Sequence, residues 1–171
     1  GLDQDRIAVG GFSAGGNLAA SAALQARDLG SFEPACQLLA VPSLDVAEDP
    51  ALKTSPLTSP MIGPGLLNLV RRTYFRDVDA RRSPYASPLR ATSLEGVAPA
   101  VVITGEYDVL RAEGDAYAAR LAQDGVDVVH EVVPGADHYF LETGRARART
   151  TLDLVVAQLR RHLGVTAWQS D

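Results

Sequence analysis

The chain has 171 residues, 46% of them hydrophobic, with 16 Lys and Arg against 21 Asp and Glu. That length supports one domain with a sizeable core, and the net charge of −5 argues against a polyanion-binding surface, so no nucleic-acid partner is expected. No apolar run is long enough to span a bilayer, a cytoplasmic location is expected, and the lone Cys36 excludes an intrachain disulfide.

Four strand–helix units follow in chain order. Arg6-Ile7-Ala8-Val9-Gly10 reads as a short buried strand, followed by an alanine-rich helix over 14–29 with Gly30 as its stop. The second strand covers 35–41, ends at Pro42 and holds Cys36 as a small buried residue. The third covers 100–104, with a helix over 112–124 stopped by Gly125. The fourth covers 128–133, and a last helix over 146–163 carries Leu152, Val155, Val156, Leu159 and Leu163 on one face before Gly164. Strands alternating with helices imply a mostly parallel sheet flanked by helices, an α/β fold. Residues 44–96 break the rhythm, with six prolines and one credible helix over 64–75. A long insertion between strands is usually functional, and a lid-like role is expected. Its Met61, Leu66, Leu67, Leu69, Tyr74 and Phe75 are candidates to line an apolar substrate pocket, or to pack on the core as an ordinary helix face.

Gly11-Phe12-Ser13-Ala14-Gly15, between the first strand and its helix, has the Gly-x-Ser-x-Gly spacing of a nucleophile elbow. A serine on so tight a turn needs neighbours two before and two after it with almost no side chain. The N–H of Ala14, at the start of the helix, is placed to hydrogen-bond a developing oxyanion. Glu106-Tyr107-Asp108 leaves the third strand, and Pro134-Gly135-Ala136-Asp137-His138 follows the fourth. A serine, a carboxylate and a histidine thus each follow the C-terminal end of a separate strand, and in an open parallel sheet those ends converge where ligands bind. Their order is that of serine hydrolases with this elbow.

At these residues the chain resembles the hormone-sensitive-lipase-like carboxylesterases of the α/β-hydrolase superfamily. The elbow run continues through Gly16-Asn17-Leu18-Ala19-Ala20. The segment from Ile103 to Gly114 is similar to the family's acid segment, and Pro134-Gly135-Ala136-Asp137-His138-Tyr139-Phe140 to its histidine loop. The resemblance runs over 2–163 and implies the C-terminal half of an α/β-hydrolase fold. It also implies Ser13 as nucleophile, Asp108 as orienting carboxylate and His138 as general base, acting on a small-molecule ester without a cofactor. The family usually has Asp at Phe12 and Gly at Tyr139. These larger groups stand beside the catalytic residues, and with Met61 they are the candidate substrate contacts. The family's upstream His-Gly-Gly-Gly segment, which supplies further oxyanion donors, is not in this sequence. The first strand therefore lacks a neighbour on one side, and either a missing N-terminal half or self-association is expected.

Among the alternatives, Asp45, after the second strand, is the rival for the acid. Glu106 stands in the same segment as Asp108 and is the lesser candidate, and Asp137 reads as a loop or surface residue. His130 lies within a strand and His162 at a helix end, where it meets the helix dipole. Arg145, Arg147 and Arg149 read as a solvated helix start, and Ser87-Pro88-Leu89 as structural. No Cys/His set has metal-ligand spacing. Two other functional classes compete with the esterase. A prolyl-oligopeptidase-type peptidase usually has an aromatic where Ala14 stands. A ligand-binding α/β-hydrolase has usually lost the histidine, whereas His138 is present here.

Overall fold

The computed structural model of the chain describes Asp3, residues 6–142 and residues 144–165. Strands β1 (Ala8–Phe12), β2 (Cys36–Ala40), β3 (Ala100–Gly105) and β4 (Val128–Val133) form one sheet in the order β1-β2-β3-β4. Every neighbouring pair is parallel, with Ala8 opposite Cys36, Gln37 opposite Ala100, and Ala100 opposite Val128. Parallel neighbours need crossover connections, and helices α1 (Ala14–Leu29) and α3 (Arg111–Gln123) supply two of them.

The alternation of side chains along each strand divides the core in two. On one face Leu39 and Val102 pack with Ala19, Ala20, Ala23 and Leu24 of α1 and with Tyr117 and Leu121 of α3. On the other, Val101, Ile103 and Val133 pack with Phe140 and with Val155 of α4 (Arg145–Leu163). The run of alanines lets α1 lie close on the sheet, and α1 stops at Gly30 in the left-handed conformation, φ 58°. β3 is buried along its whole length, as an interior strand with helices on both faces must be. Cys36 is a free, buried cysteine, and burial pushes its thiol pKa up.

The ends of the elements differ from the sequence expectation in instructive places. β1 runs on to Phe12, because Gly11 and Phe12 still pair with Leu39 and Ala40. β2 stops at Ala40, since Val41 adopts φ 43°, an outlying conformation for a β-branched residue. The positive φ turns the chain off the sheet toward Ser43 while the Val41 N–H still donates to the Ile103 carbonyl at 2.7 Å.

Residues 44–96 hold helix α2 (Pro64–Thr73) and three single 3₁₀ turns, Pro50–Leu52, Ala80–Arg82 and Pro88–Arg90. Two of these turns begin with proline, which suits a first helical position because its missing N–H would lack a partner there anyway. Polar side chains fasten the segment to the domain. Asn17 Nδ2 donates to the carbonyls of Ser43 and Ala86 at 2.7 and 2.9 Å. The fully buried Ser87 accepts the Val46 N–H and donates to the Arg81 carbonyl, a structural role.

Candidate active site

The turn between β1 and α1 holds Ser13 at φ 57°, ψ −113°. The conformation is locked by three backbone hydrogen bonds. The Ser13 N–H donates to the Ala40 carbonyl at 2.8 Å, and its own carbonyl accepts from Asn17 at 3.1 Å and Ser43 at 3.3 Å. Sequence reasoning assigned the need for glycine to both sides of the serine, and the structure corrects half of that. A Cβ on Gly11 would stand 2.3 Å from the Gly15 carbonyl carbon, whereas a Cβ on Gly15 meets no described atom within 4 Å. The tight approach on the helix side belongs to Gly16, whose Cβ would lie 2.8 Å from that of Pro42.

The three strand ends bring a serine, a histidine and a carboxylate into one chain of hydrogen bonds. His138 Nε2 lies 2.8 Å from Ser13 Oγ, and His138 Nδ1 lies 2.9 Å from Asp108 Oδ2. An ionised carboxylate only accepts, so Nδ1 carries the proton and Nε2 is left to accept from the serine hydroxyl. Asp108 is 3% and His138 5% exposed, so water screens this contact little. Asp108 Oδ1 accepts the Leu110 N–H at 3.0 Å, which fixes the carboxylate's own orientation. Asp45 is elsewhere. Burial opposes its charge, but Arg90 at 2.8 Å and the N–H groups of Ala47 and Glu48 hold its pKa below the usual value.

The loops carrying acid and base are interlocked. The Glu106 N–H donates to the Val133 carbonyl at 3.1 Å and the Tyr107 N–H to the Ala136 carbonyl at 2.8 Å. Glu106 Oε2 accepts the Gly135 N–H at 2.6 Å, and a Cβ on Gly105 would lie 2.7 Å from the Asp137 carbonyl oxygen. Arg147, expected to be merely solvated, donates to the Pro134 carbonyl at 2.6 Å. Asp137, read from sequence as a loop or surface residue, accepts the His138 N–H at 2.7 Å and the Met61 N–H at 2.6 Å. His130 bonds Thr104 and Asp115, both at 3.1 Å, away from this group.

An apolar cavity of about 330 Å³ opens beside Ser13 and Ala14. Leu18, Leu66, Leu67, Val70, Tyr74 and Phe75 wall it, so α2 forms one side. Phe12, Tyr139 and Met61 do not line it. Phe12 instead sets its ring edge-on to His138, with centroids 5.3 Å apart, and packs with Tyr139 at 5.7 Å. Phe12 is the outward residue ending β1, which turns its ring onto the base rather than into the cavity. Met61 is placed by its N–H bond to Asp137. The Ala14 N–H stands at the open start of α1, and no described side chain caps that helix.

Sequence reasoning missed a buried ion pair close behind this cavity. Glu113 Oε2 accepts from Lys53 Nζ at 2.8 Å and from the Asp45 N–H at 2.7 Å. Lys53 Nζ also donates to the Asp45 carbonyl at 2.7 Å. Burial pushes the Glu113 pKa up to about 7 against the pull of Lys53. The two residues lie 60 positions apart, and no local pattern links them.

A parallel sheet with an elbow serine at one strand end, and an acid and a histidine at two others, defines an α/β hydrolase. The sequence profile of the alpha/beta hydrolase fold family matches residues 1–142. An arylesterase of Saccharolobus solfataricus is 34% identical over 167 residues, covering 89% of this chain and 50% of its own. An ethyl acetate hydrolase of Pseudomonas putida is 32% identical, covering 95% and 52%. The solved esterase of Pyrobaculum calidifontis superposes with a TM-score of 0.85 at 36% identity, over 94% of this chain and 54% of that one. The chain belongs to the alpha/beta hydrolase fold family, in its hormone-sensitive-lipase-like branch, and the relatives it resembles are esterases. It spans about half the length of the relatives it matches. No described helix is long and apolar enough to cross a membrane.

Proposed function

We propose that the protein is a serine hydrolase that cleaves carboxylic esters of short to medium acyl chains through an acyl-serine intermediate. The observation that carries this reading is the unbroken relay from Ser13 Oγ through the His138 ring to Asp108, beside an apolar cavity. His138 Nε2 takes the hydroxyl proton as Ser13 Oγ attacks the ester carbonyl, and Asp108 holds the tautomer and stabilises the imidazolium. His138 returns that proton to the departing alcohol. It then removes one from water, whose oxygen attacks the acyl carbon, and returns that proton to Ser13 Oγ as the acyl–oxygen bond breaks and the acid leaves. The Ala14 N–H is one donor to the oxyanion. The cavity's 330 Å³ lies at the small end of ligand pockets, about 300–1,000 Å³, which supports a short to medium chain.

The test is hydrolysis of a p-nitrophenyl acyl series by the full-length protein. Ser13→Ala is expected to lower kcat by about 10⁶-fold and to abolish fluorophosphonate labelling, with Asp108→Asn losing about 10⁴-fold. Ester turnover that survives Ser13→Ala overturns the mechanism. Cleavage of prolyl peptides far faster than esters replaces it with a peptidase.

A further inference from the structure

Residues 55–62 of the inserted segment form a strap between the acid and base loops. Near its start, Ser55 Oγ donates to the carbonyl of Tyr107, the residue before Asp108. At its end, Ile62 is buried against Val109 and Leu110, the two residues after Asp108. One position earlier, the Met61 N–H donates to Asp137 Oδ2 at 2.6 Å, across 76 residues of chain. Asp137 is the residue before His138, and its other oxygen accepts the His138 N–H at 2.7 Å.

We propose that Asp137 is a positioning residue for the base, coupling the backbone of His138 to the strap and so fixing where the imidazole stands over Ser13. This rests on the reading of His138 as general base. A local turn would need only the carboxylate oxygen that accepts the His138 N–H. The second oxygen reaches a separate segment, and that contact is what a loop-stabilising aspartate does not require. Both bonds are charge-assisted and short, the stronger kind of protein hydrogen bond. The imidazole spans Ser13 at 2.8 Å and Asp108 at 2.9 Å, which leaves it no slack. A displacement of about 1 Å at such a group costs on the order of 100-fold in rate. The strap closes the arrangement by holding the acid side through Ser55 and Ile62. Asp137 thus ties the base to the same piece of chain that is packed on the acid.

The experiment compares Asp137→Asn, Asp137→Ala and Ser55→Ala in the full-length protein, with Ser13→Ala as control. It reads kcat and KM on a short-chain p-nitrophenyl ester and the fluorophosphonate labelling rate, all below the onset of unfolding. Asp137→Asn keeps the shape but only one acceptor, and is expected to lose about tenfold in kcat; Asp137→Ala loses about 10- to 100-fold. Labelling is expected to slow in parallel with KM unchanged, and Ser55→Ala to show a smaller loss of the same kind. A merely structural aspartate would lower thermal stability without moving kcat in the folded enzyme. A folded Asp137 variant with kcat and labelling within about twofold of the parent overturns the proposal, as does a loss confined to KM. If Asp137→Ala does not fold, Asp137→Asn decides. Turnover that survives Ser13→Ala sinks the underlying hydrolase reading, a result separate from normal rates in the Asp137 variants.

Discussion

At Ser13 the backbone takes φ 57°, a conformation ordinary residues avoid, and the energy for it comes from neighbours. Three main-chain hydrogen bonds to Ala40, Asn17 and Ser43 hold the turn. The close approach of Gly11 to the Gly15 backbone makes it tight. The two glycines of the motif are therefore unequal. Gly11→Ala forces a methyl against a rigid carbonyl at 2.3 Å, and is expected to cost more than the roughly 1–3 kcal/mol of ordinary overpacking. Gly15→Ala places its methyl in open space, and is expected to stay within about 1 kcal/mol of the parent. Denaturant unfolding of the two variants distinguishes them. Equal midpoints would show that the turn relaxes around a side chain at Gly11.

Between elements, the Lys53–Glu113 pair joins the inserted segment to α3 behind the cavity. Glu113 Oε1 has no partner among the described residues, so the carboxylate is incompletely compensated. Its folded pKa is raised from 4.5 to about 7, by burial first. A raised carboxyl pKa contributes stability that is present below pH 4.5 and is lost as the pH rises through about 7. Lys53→Met removes the cation that limits this loss, and is expected to cost about 3–5 kcal/mol near pH 8. The cost shrinks near pH 5, where Glu113 takes up a proton. The double variant Lys53→Met/Glu113→Leu is expected to recover most of the stability, since no buried charge is left. Thermal unfolding of the parent and these two variants at both pH values checks this. A deficit in Lys53→Met that does not change with pH would mean that Glu113 does not titrate in this range.

For the whole molecule, the sheet is asymmetric. β4 is an outer strand on one side, and on the other β1 pairs only with β2 among the described residues. Next to and on β1, Ile7 and Phe12 are exposed. An open strand edge next to apolar side chains is a template for pairing. Residues 1–171 expressed by themselves are therefore expected to self-associate as concentration rises. Static light scattering tests this, and a monodisperse monomer at high concentration would show that the β1 edge is adequately protected.

The alternation of apolar strands with alanine- and leucine-patterned helices was enough to specify four parallel strands and their helices. Each of those signals is local, and α1, α3 and α4 are each followed by a glycine stop, Gly30, Gly125 and Gly164. The Ser13, Asp108 and His138 positions were readable for the same reason, because each lies in the turn or loop that leaves the end of a strand and parallel strand ends meet at one edge. The inserted segment was not readable beyond α2. Its prolines mark turns without saying where the chain goes, and its anchors pair residues 26 to 76 positions apart. Only the folded chain could send the Phe12 ring onto His138 and leave the cavity to α2, because the end of β1 is set by pairing with Ala40. The same holds for Asp137 and for Glu113 with Lys53. A carboxylate's partners are chosen by which donors burial leaves beside it, and burial is a property of the packed molecule.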